Sequence, residues 1–196
     1  MGFKRKTIWK GLLLVLLGVG MLVGLIASDW FWNAMNPVFH RDVLYQCAGE
    51  YKMDPLLIAS VISAESSFNP IATSKKKAMG LMQLMPETAF ELAQELKLDV
   101  VNEEDLYQPD VNIRLGFYYL VKLSREFNGN IVFALAAYNA GLSRAKVWAG
   151  SYRGESEDEV IRRIPLVETR GFVKAVLKSY RRYKWIQSLR QVVRGN

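Results

Sequence analysis

The stretch GLLLVLLGVGMLVGLIA at residues 11–27 carries no charged or polar side chain. A buried core helix fails as a reading, because 17 successive residues contain no polar group at all. With Ile8 and Trp9 the run reaches about 20 mostly apolar residues, enough to cross a ~30 Å hydrocarbon layer. The flank FKRKTIWK at 3–10 is basic, which keeps it on the cytoplasmic side and puts everything after Ser28 outside. Trp30, Phe31 and Trp32 fall where an outer interfacial belt of aromatic residues lies. A cleaved signal peptide competes with this reading. Its apolar part would be unusually long, however, and no A-x-A site precedes Asp29. No cysteine ends the run, which disfavours a lipoprotein anchor. The expectation is an uncleaved, single-pass anchor over 1–27 in the cell membrane, a linker over 28–40, and an extracytoplasmic domain over 41–190.

Charge divides the chain. Residues 1–27 hold four bases and no acid. Residues 28–160 hold 12 bases against 18 acids, and residues 161–196 hold ten bases against Glu168 alone. A basic tail of that kind suits anionic lipid, an anionic wall polymer or nucleic acid, or is simply a solvated helix face. The expected export makes nucleic acid improbable as a partner. Hydrophobic residues make up 51% of the chain, enough to bury a core, so disorder is not the default. One cysteine, Cys47, forbids an intramolecular disulfide and a cysteine zinc site. One histidine, His40, argues against a histidine metal cluster and a Ser-His-Asp triad. Catalysis, if any, falls to carboxylates and hydroxyls without metal or cofactor.

Beyond residue 40 the pattern is helical throughout, with no sustained period-2 alternation, which predicts a compact all-α domain. Asp54-Pro55 supplies an acceptor at N-cap and a proline at N1. From there Leu57, Ile58, Val61 and Ile62 share one face, up to a stop at Asn69-Pro70. A helix begins at Pro86 and runs through Leu96. Asp110 caps another, striped by Ile113, Phe117, Leu120 and Leu123, and Asn130 caps one that ends at Gly141. Residues 143–149 form a short helix, 151–159 a polar acidic stretch, and about 167–187 a long helix.

Glu65 breaks the pattern. The helical period carries the buried face of Leu57, Ile58, Val61 and Ile62 onto it, and desolvation there raises a carboxyl's pKa. A rise of a unit or two above the ordinary ~4.3 yields a proton donor at mildly acidic pH. The rival reading is a glutamate reaching from the last turn into solvent. Its nearest upstream acid, Asp54, stands ~16 Å away along a helix, so a flanking pair of carboxylates is not expected. Glu87 sits in a first helical turn, where the dipole explains it.

The surroundings narrow the choice. Glu65-Ser66 is followed by Gly80-Leu81-Met82-Gln83, then Ala137-Tyr138-Asn139-Ala140-Gly141, then Ile164-Pro165 with Glu168-Thr169 and Arg170. Together these resemble the ES, GLMQ, AYNAG and IP-x-x-ET-R signatures of the soluble-type lytic transglycosylases, in family order over about 50–185. The resemblance implies a lysozyme-like helical domain behind the transmembrane helix. It also implies cleavage of the β-1,4 bond between N-acetylmuramic acid and N-acetylglucosamine in peptidoglycan, leaving 1,6-anhydromuramoyl ends. Glu65 is then the single catalytic acid/base. Ser74 matches a family position that binds the N-acetyl group. By the same analogy the Tyr138 hydroxyl bonds Glu65, and Asn139 contacts substrate or supports the groove.

Other residues keep two readings. Gln83 offers donor and acceptor to sugar amides and hydroxyls. Gly80 permits close backbone approach or is a turn glycine. Met82 and Met85 line the groove or the core. Ser66 supports the site or bonds its own helix backbone. Glu168 and Arg170 form an ion pair near the groove or touch glycan. Tyr180 and Tyr183 stack on sugars or pack. Leu142-Ser143 departs from the family's usual residues after AYNAG, which concerns loop geometry. A hydrolysing muramidase and a silent wall-binding scaffold are the alternatives, and retention of Glu65, Gln83 and Tyr138 argues against the second.

Overall fold

Asp54 and Pro55 start their helix as the sequence predicts: Oδ1 of Asp54 accepts from the amide of Leu56 at 2.9 Å, and Pro55 takes the first turn. The structure is a computed structural model that describes residues 2–28, 30–31, 38–152 and 154–194. Asp29, Trp32 and much of the expected linker lie outside the described residues. The described residues form helices and short turns, with no strand beyond two isolated bridges, Thr73 with Met79 and Met79 with Leu84.

The chain divides into two units, Phe39–Arg182 and a second made of Met1–Val38 with Tyr183–Asn196. The second unit holds α1 (Gly2–Ala27). Its segment Trp9–Ala27 is one helix long and apolar enough to cross a membrane, with none of it buried. Nineteen residues at 1.5 Å each give about 28 Å.

The larger unit runs through α2 (Arg41–Tyr51), α3 (Pro55–Ser66), α4 (Pro86–Leu96), a 3-10 turn (Glu103–Tyr107) and α5 (Pro109–Glu126). It continues with α6 (Ile131–Ala140), α7 (Leu142–Ser151), α8 (Glu157–Arg163) and the first part of α9 (Val167–Arg194). α5 is the hub, packing against α2, α4, α6 and the 3-10 turn.

α3 and α6 depart from the one-sided pattern. Leu56 through Ile62 are buried without a break, and so are Val132 through Ala137. Each is an apolar rod enclosed by its neighbours, which suits a helix whose residues are hydrophobic all round. Asn130 caps α6 as expected, accepting from the Phe133 amide. Asp110 does not cap α5. Gln108 is its N-cap and Pro109 its first residue, so Asp110 lies inside the first turn, where it favours the dipole. The acidic stretch at 151–159 contains the start of α8, nucleated by a capping box between Ser156 and Glu159. α9 continues to Arg194, past the expected end. Cys47 is free and buried.

Candidate active site

α3 ends one turn before the Asn69-Pro70 signal. Ser67 and Phe68 both take the left-handed conformation, with φ of 52° and 64°. The Ser66 hydroxyl, in its last turn, donates to the Leu81 carbonyl at 2.8 Å. That bond ties the end of α3 to the turn carrying Gly80-Leu81-Met82-Gln83, so Ser66 acts on the scaffold and not on its own helix alone. Glu65 therefore emerges where α3 meets that turn, half-buried, at the edge of the apolar core.

Asn112, from α5, holds the turn from behind. Its Oδ1 accepts from the Met82 amide at 2.7 Å, and its Nδ2 donates to the carbonyls of Met79 (3.0 Å) and Leu106 (2.8 Å). The side chain is wholly buried and fully bonded. Gly80, at φ 77°, lies so close that a Cβ would run into the Asn112 amide and the Leu106 carbonyl. The close approach that Gly80 permits is thus to Asn112. Gln83 has φ 48°, an uncommon backbone for a side chain of its size, and its own amide stabilises the turn. Nε2 donates to Ala72 O at 3.0 Å and to Gly80 O at 2.9 Å. Its donors are spent on the protein, and only Oε1 is left to accept from a ligand.

The Tyr138 hydroxyl, on α6, donates to the Met82 carbonyl at 2.7 Å. The expected bond from that hydroxyl to Glu65 is not made. The phenol proton points to Met82, and the oxygen retains lone pairs as an acceptor. Tyr119 and Phe172 flank its ring, with centroids 5.3 and 6.4 Å away. Burial first, then the Glu65 charge, raises the Tyr138 pKa well above its ordinary value, so it stays a neutral phenol. Asn139, the next residue, accepts from the buried Thr169 hydroxyl at 2.7 Å. Ser74 Oγ accepts from the amides of Lys76 (3.2 Å) and Ala78 (2.9 Å) and so shapes the lysine loop.

Glu65, Ser74, Gln83, Met85, Tyr138 and Asn139 line one open cavity of about 380 Å³, together with Lys75, Lys76, Ala78 and Glu168. Met85 is 43% exposed. Desolvation, and after it the charge of Glu168, pushes the Glu65 pKa up to about 8. That is higher than a unit or two, because burial acts together with a second carboxylate that α9 supplies. Glu168 itself is exposed and faces Lys76 Nζ at 3.6 Å. It does not pair with Arg170, whose guanidinium donates to the carbonyls of Arg162 and Ile164, 3.2 Å each.

Tyr180 lies elsewhere. Its hydroxyl donates to Asp54 Oδ2 at 2.8 Å, at the opposite end of α3 from Glu65. It clamps the helix start instead of lining the cavity. Tyr183 is buried. Met82 is buried as well, its side chain lying where a Cβ on Gly116 would intrude. Sequence reasoning missed Asn112, Thr169 and Lys76 as members of this neighbourhood. For Asn112 a signal existed: a polar side chain one position ahead of the apolar stripe of α5. Thr169 stood in the quoted motif beside Glu168.

A second cavity, about 450 Å³, opens beside Glu126, Lys146, Tyr152 and Glu155. Two of its acids are ion-paired, Glu126 with Lys146 at 2.7 Å and Glu155 with Arg163. Among the described residues no three His, Cys, Asp or Glu side chains gather where a metal could sit.

An all-helical domain with one desolvated acid facing an open groove is thus what the fold and the site define. Residues 43–161, more than half of the chain, match the Transglycosylase SLT domain, and the chain belongs to that family. A soluble lytic murein transglycosylase from Salmonella typhimurium is 35% identical over 143 residues, 72% of this chain and 22% of that protein. The X-ray structure of an inactive glutamate-to-glutamine mutant of the lytic transglycosylase Slt from Pseudomonas aeruginosa superposes with a TM-score of 0.73 at 38% identity. The match covers 83% of this chain and 26% of that one. A membrane-bound lytic murein transglycosylase C from Edwardsiella ictaluri is 27% identical over 79% of this chain and 50% of its own length. The chain therefore spans about a quarter of the soluble relatives.

Proposed function

We propose that this chain is a membrane-anchored peptidoglycan lytic transglycosylase in which Glu65 acts first as acid and then as base. The observation that carries the reading is the half-buried Glu65 carboxyl at the cavity, its pKa pushed up to about 8 by burial and by Glu168. A carboxyl of that kind is protonated at neutral pH, as a proton donor to a leaving oxygen must be.

The chemistry runs in two proton transfers. Glu65 gives its proton to the bridging oxygen as the bond from C1 of the muramoyl residue to that oxygen breaks. The substrate's own N-acetyl group stabilises the positive charge at C1. The Glu65 carboxylate then takes the proton of the muramoyl C6 hydroxyl as O6 closes onto C1, giving the 1,6-anhydro end and restoring the acid. Ser74, with its hydroxyl hydrogen uncommitted among the described bonds, and the Gln83 Oε1 hold amide and hydroxyl groups of the sugars. Asn139, Met85 and Tyr138 line the same cavity, and the Tyr138 hydroxyl fixes the Met82 carbonyl.

In this reading residues 1–27 are a single-pass anchor with its basic flank in the cytoplasm, 28–40 a linker and 41–190 the catalytic domain on the wall side. The apolar helix at Trp9–Ala27 and the likeness to a membrane-bound relative support it. The basic tail meets an anionic wall polymer or anionic lipid.

The second carboxylate at the cavity, Glu168, favours one alternative, a muramidase that hydrolyses. Digestion of purified sacculi with the full chain, read by mass spectrometry, decides between them. Anhydro ends are expected, and reducing ends heavier by one water would overturn the transglycosylase reading. Glu65→Gln should release no muropeptides, and a variant that still does so at more than a few per cent of the parental rate removes Glu65 from its role.

A further inference from the structure

The outer face of α9 carries cations without partners. Lys174, Lys178 and Arg181 recur at helical spacing on one stripe, and Arg162, from the last turn of α8, closes on them from the side. Together with Asp158 they line a shallow cavity of about 430 Å³ whose floor is the buried Ile161 and Leu177. Among the described residues none of these four cations makes an ion pair. Four positive charges stand against Asp158 in the cavity and Glu159 beside Arg162, so the face keeps a net positive charge.

Two further observations say what covers this face. Trp185 follows Arg181 by one helical turn on the same stripe and is 59% exposed, and Val192, two turns on, is 78% exposed. Cations followed by an exposed tryptophan on one helix stripe are the pattern of a segment lying at a lipid interface, where the ring sits among headgroups. A phosphate-bearing wall polymer would use the cations and leave the tryptophan without a function. The second observation is reach. Between Ala27, the end of the proposed span, and Phe39 lie twelve peptide steps, which extend to at most ~40 Å.

We infer that Arg162, Lys174, Lys178 and Arg181 form a docking surface for the phosphate headgroups of anionic phospholipids in the membrane that holds the chain. The inference rests on the anchored reading of the protein. Each cation near an anionic surface multiplies partitioning about fivefold, so four convert a loosely tethered domain into one held against the bilayer.

The test uses the full chain in lipid nanodiscs of phosphatidylcholine alone or with one-third phosphatidylglycerol. A donor dye is placed at the exposed Ala175 through Ala175→Cys, Cys47 being buried and unreactive, and an acceptor on the lipid headgroups. Energy transfer should rise at least about twofold with phosphatidylglycerol and fall back in roughly 0.5 M salt. The rise should vanish when Arg162, Lys174, Lys178 and Arg181 are all changed to Gln, with the helical circular dichroism unchanged. Lys174→Gln with Lys178→Gln provides a milder second variant, expected to lose about half of the rise. Equal transfer in both lipids, or an unchanged rise in the Gln variant, overturns the inference. So does loss of transfer on adding a soluble glycerol-phosphate polymer at equal phosphate, which would assign the face to wall polymer. Release of the chain from the discs by alkaline carbonate would instead break the anchored reading. Charge-dependent sedimentation with phosphatidylglycerol vesicles would then still decide the docking face.

Discussion

Replacing Glu65 by glutamine should stabilise the protein, and increasingly so as pH rises. The folded-state pKa of about 8 stands above the unfolded value of 4.5, so the fold prefers the neutral carboxyl. Below 4.5 both states are protonated and the preference changes nothing. Between 4.5 and about 8 the unfolded chain releases its proton while the folded one keeps it, so stability falls as pH rises. Above 8 the loss is complete. Glutamine keeps the shape and has no proton to lose. At 1.36 kcal/mol per pH unit, the advantage of Glu65→Gln is about 1 kcal/mol at pH 5 and about 4 kcal/mol at pH 8 in a dry site. The cavity is open, and water reaching the ionised carboxylate reduces the change between those pH values to roughly 2 kcal/mol. For a domain of this size that is about 4–8 °C in Tm. Scanning calorimetry of the full-length parent and variant in one detergent at the two pH values measures it. A gap that fails to widen, or a variant less stable at pH 8, would mean that Glu65 is solvated or ion-paired in solution and that its desolvation is not the source of its acidity.

Glu168→Gln removes the like charge that helps raise the Glu65 pKa, so the alkaline limb of the pH–rate profile should move from near 8 to lower pH while burial keeps it above the ordinary value. An unmoved limb, measured on sacculi, would remove Glu168 from the electrostatics of the site. Asn112→Ala strands the Met82 amide and the Leu106 carbonyl in the core, takes one of two bonds from the Met79 carbonyl, and should cost about 2–4 kcal/mol, read as a fall in Tm with a parallel fall in activity. Tyr180→Phe deletes one bond to Asp54 at the start of α3, for a loss of about 1 kcal/mol with the rate on sacculi unchanged. A large loss of rate would return Tyr180 to the groove.

The site was legible where chemistry and local pattern coincide. An acid closing an apolar run identified Glu65, and the capping residues Asp54 and Asn130 marked their helices because their bonds are local. The features that escaped are those made by segments distant in the chain. Glu168 reaches the cavity on α9, so no reading of residues 54–70 could give the size of the Glu65 shift. The Tyr138 hydroxyl has two acceptors within its neighbourhood, and only the path of the 80–83 turn decides for Met82 O. α3 looked one-sided because a helical period finds the richest face, whereas its continuous apolar run, like that of α6, is enclosed all round. The early stop of α3 was equally hidden. Restriction before proline acts on Asn69, but it is Ser67 and Phe68 that turn left-handed.

α3 is held at both ends, by Tyr180 on Asp54 and by Ser66 on the Leu81 carbonyl, with apolar packing between. Its amides should therefore be among the last in the larger unit to exchange with solvent, and the proton donor rides on the segment least free to drift. The lysine loop across the cavity has no such bracing beyond Ser74 and one exposed ion pair. Changes of length or charge at 75–77 can therefore alter which glycans enter without displacing the acid.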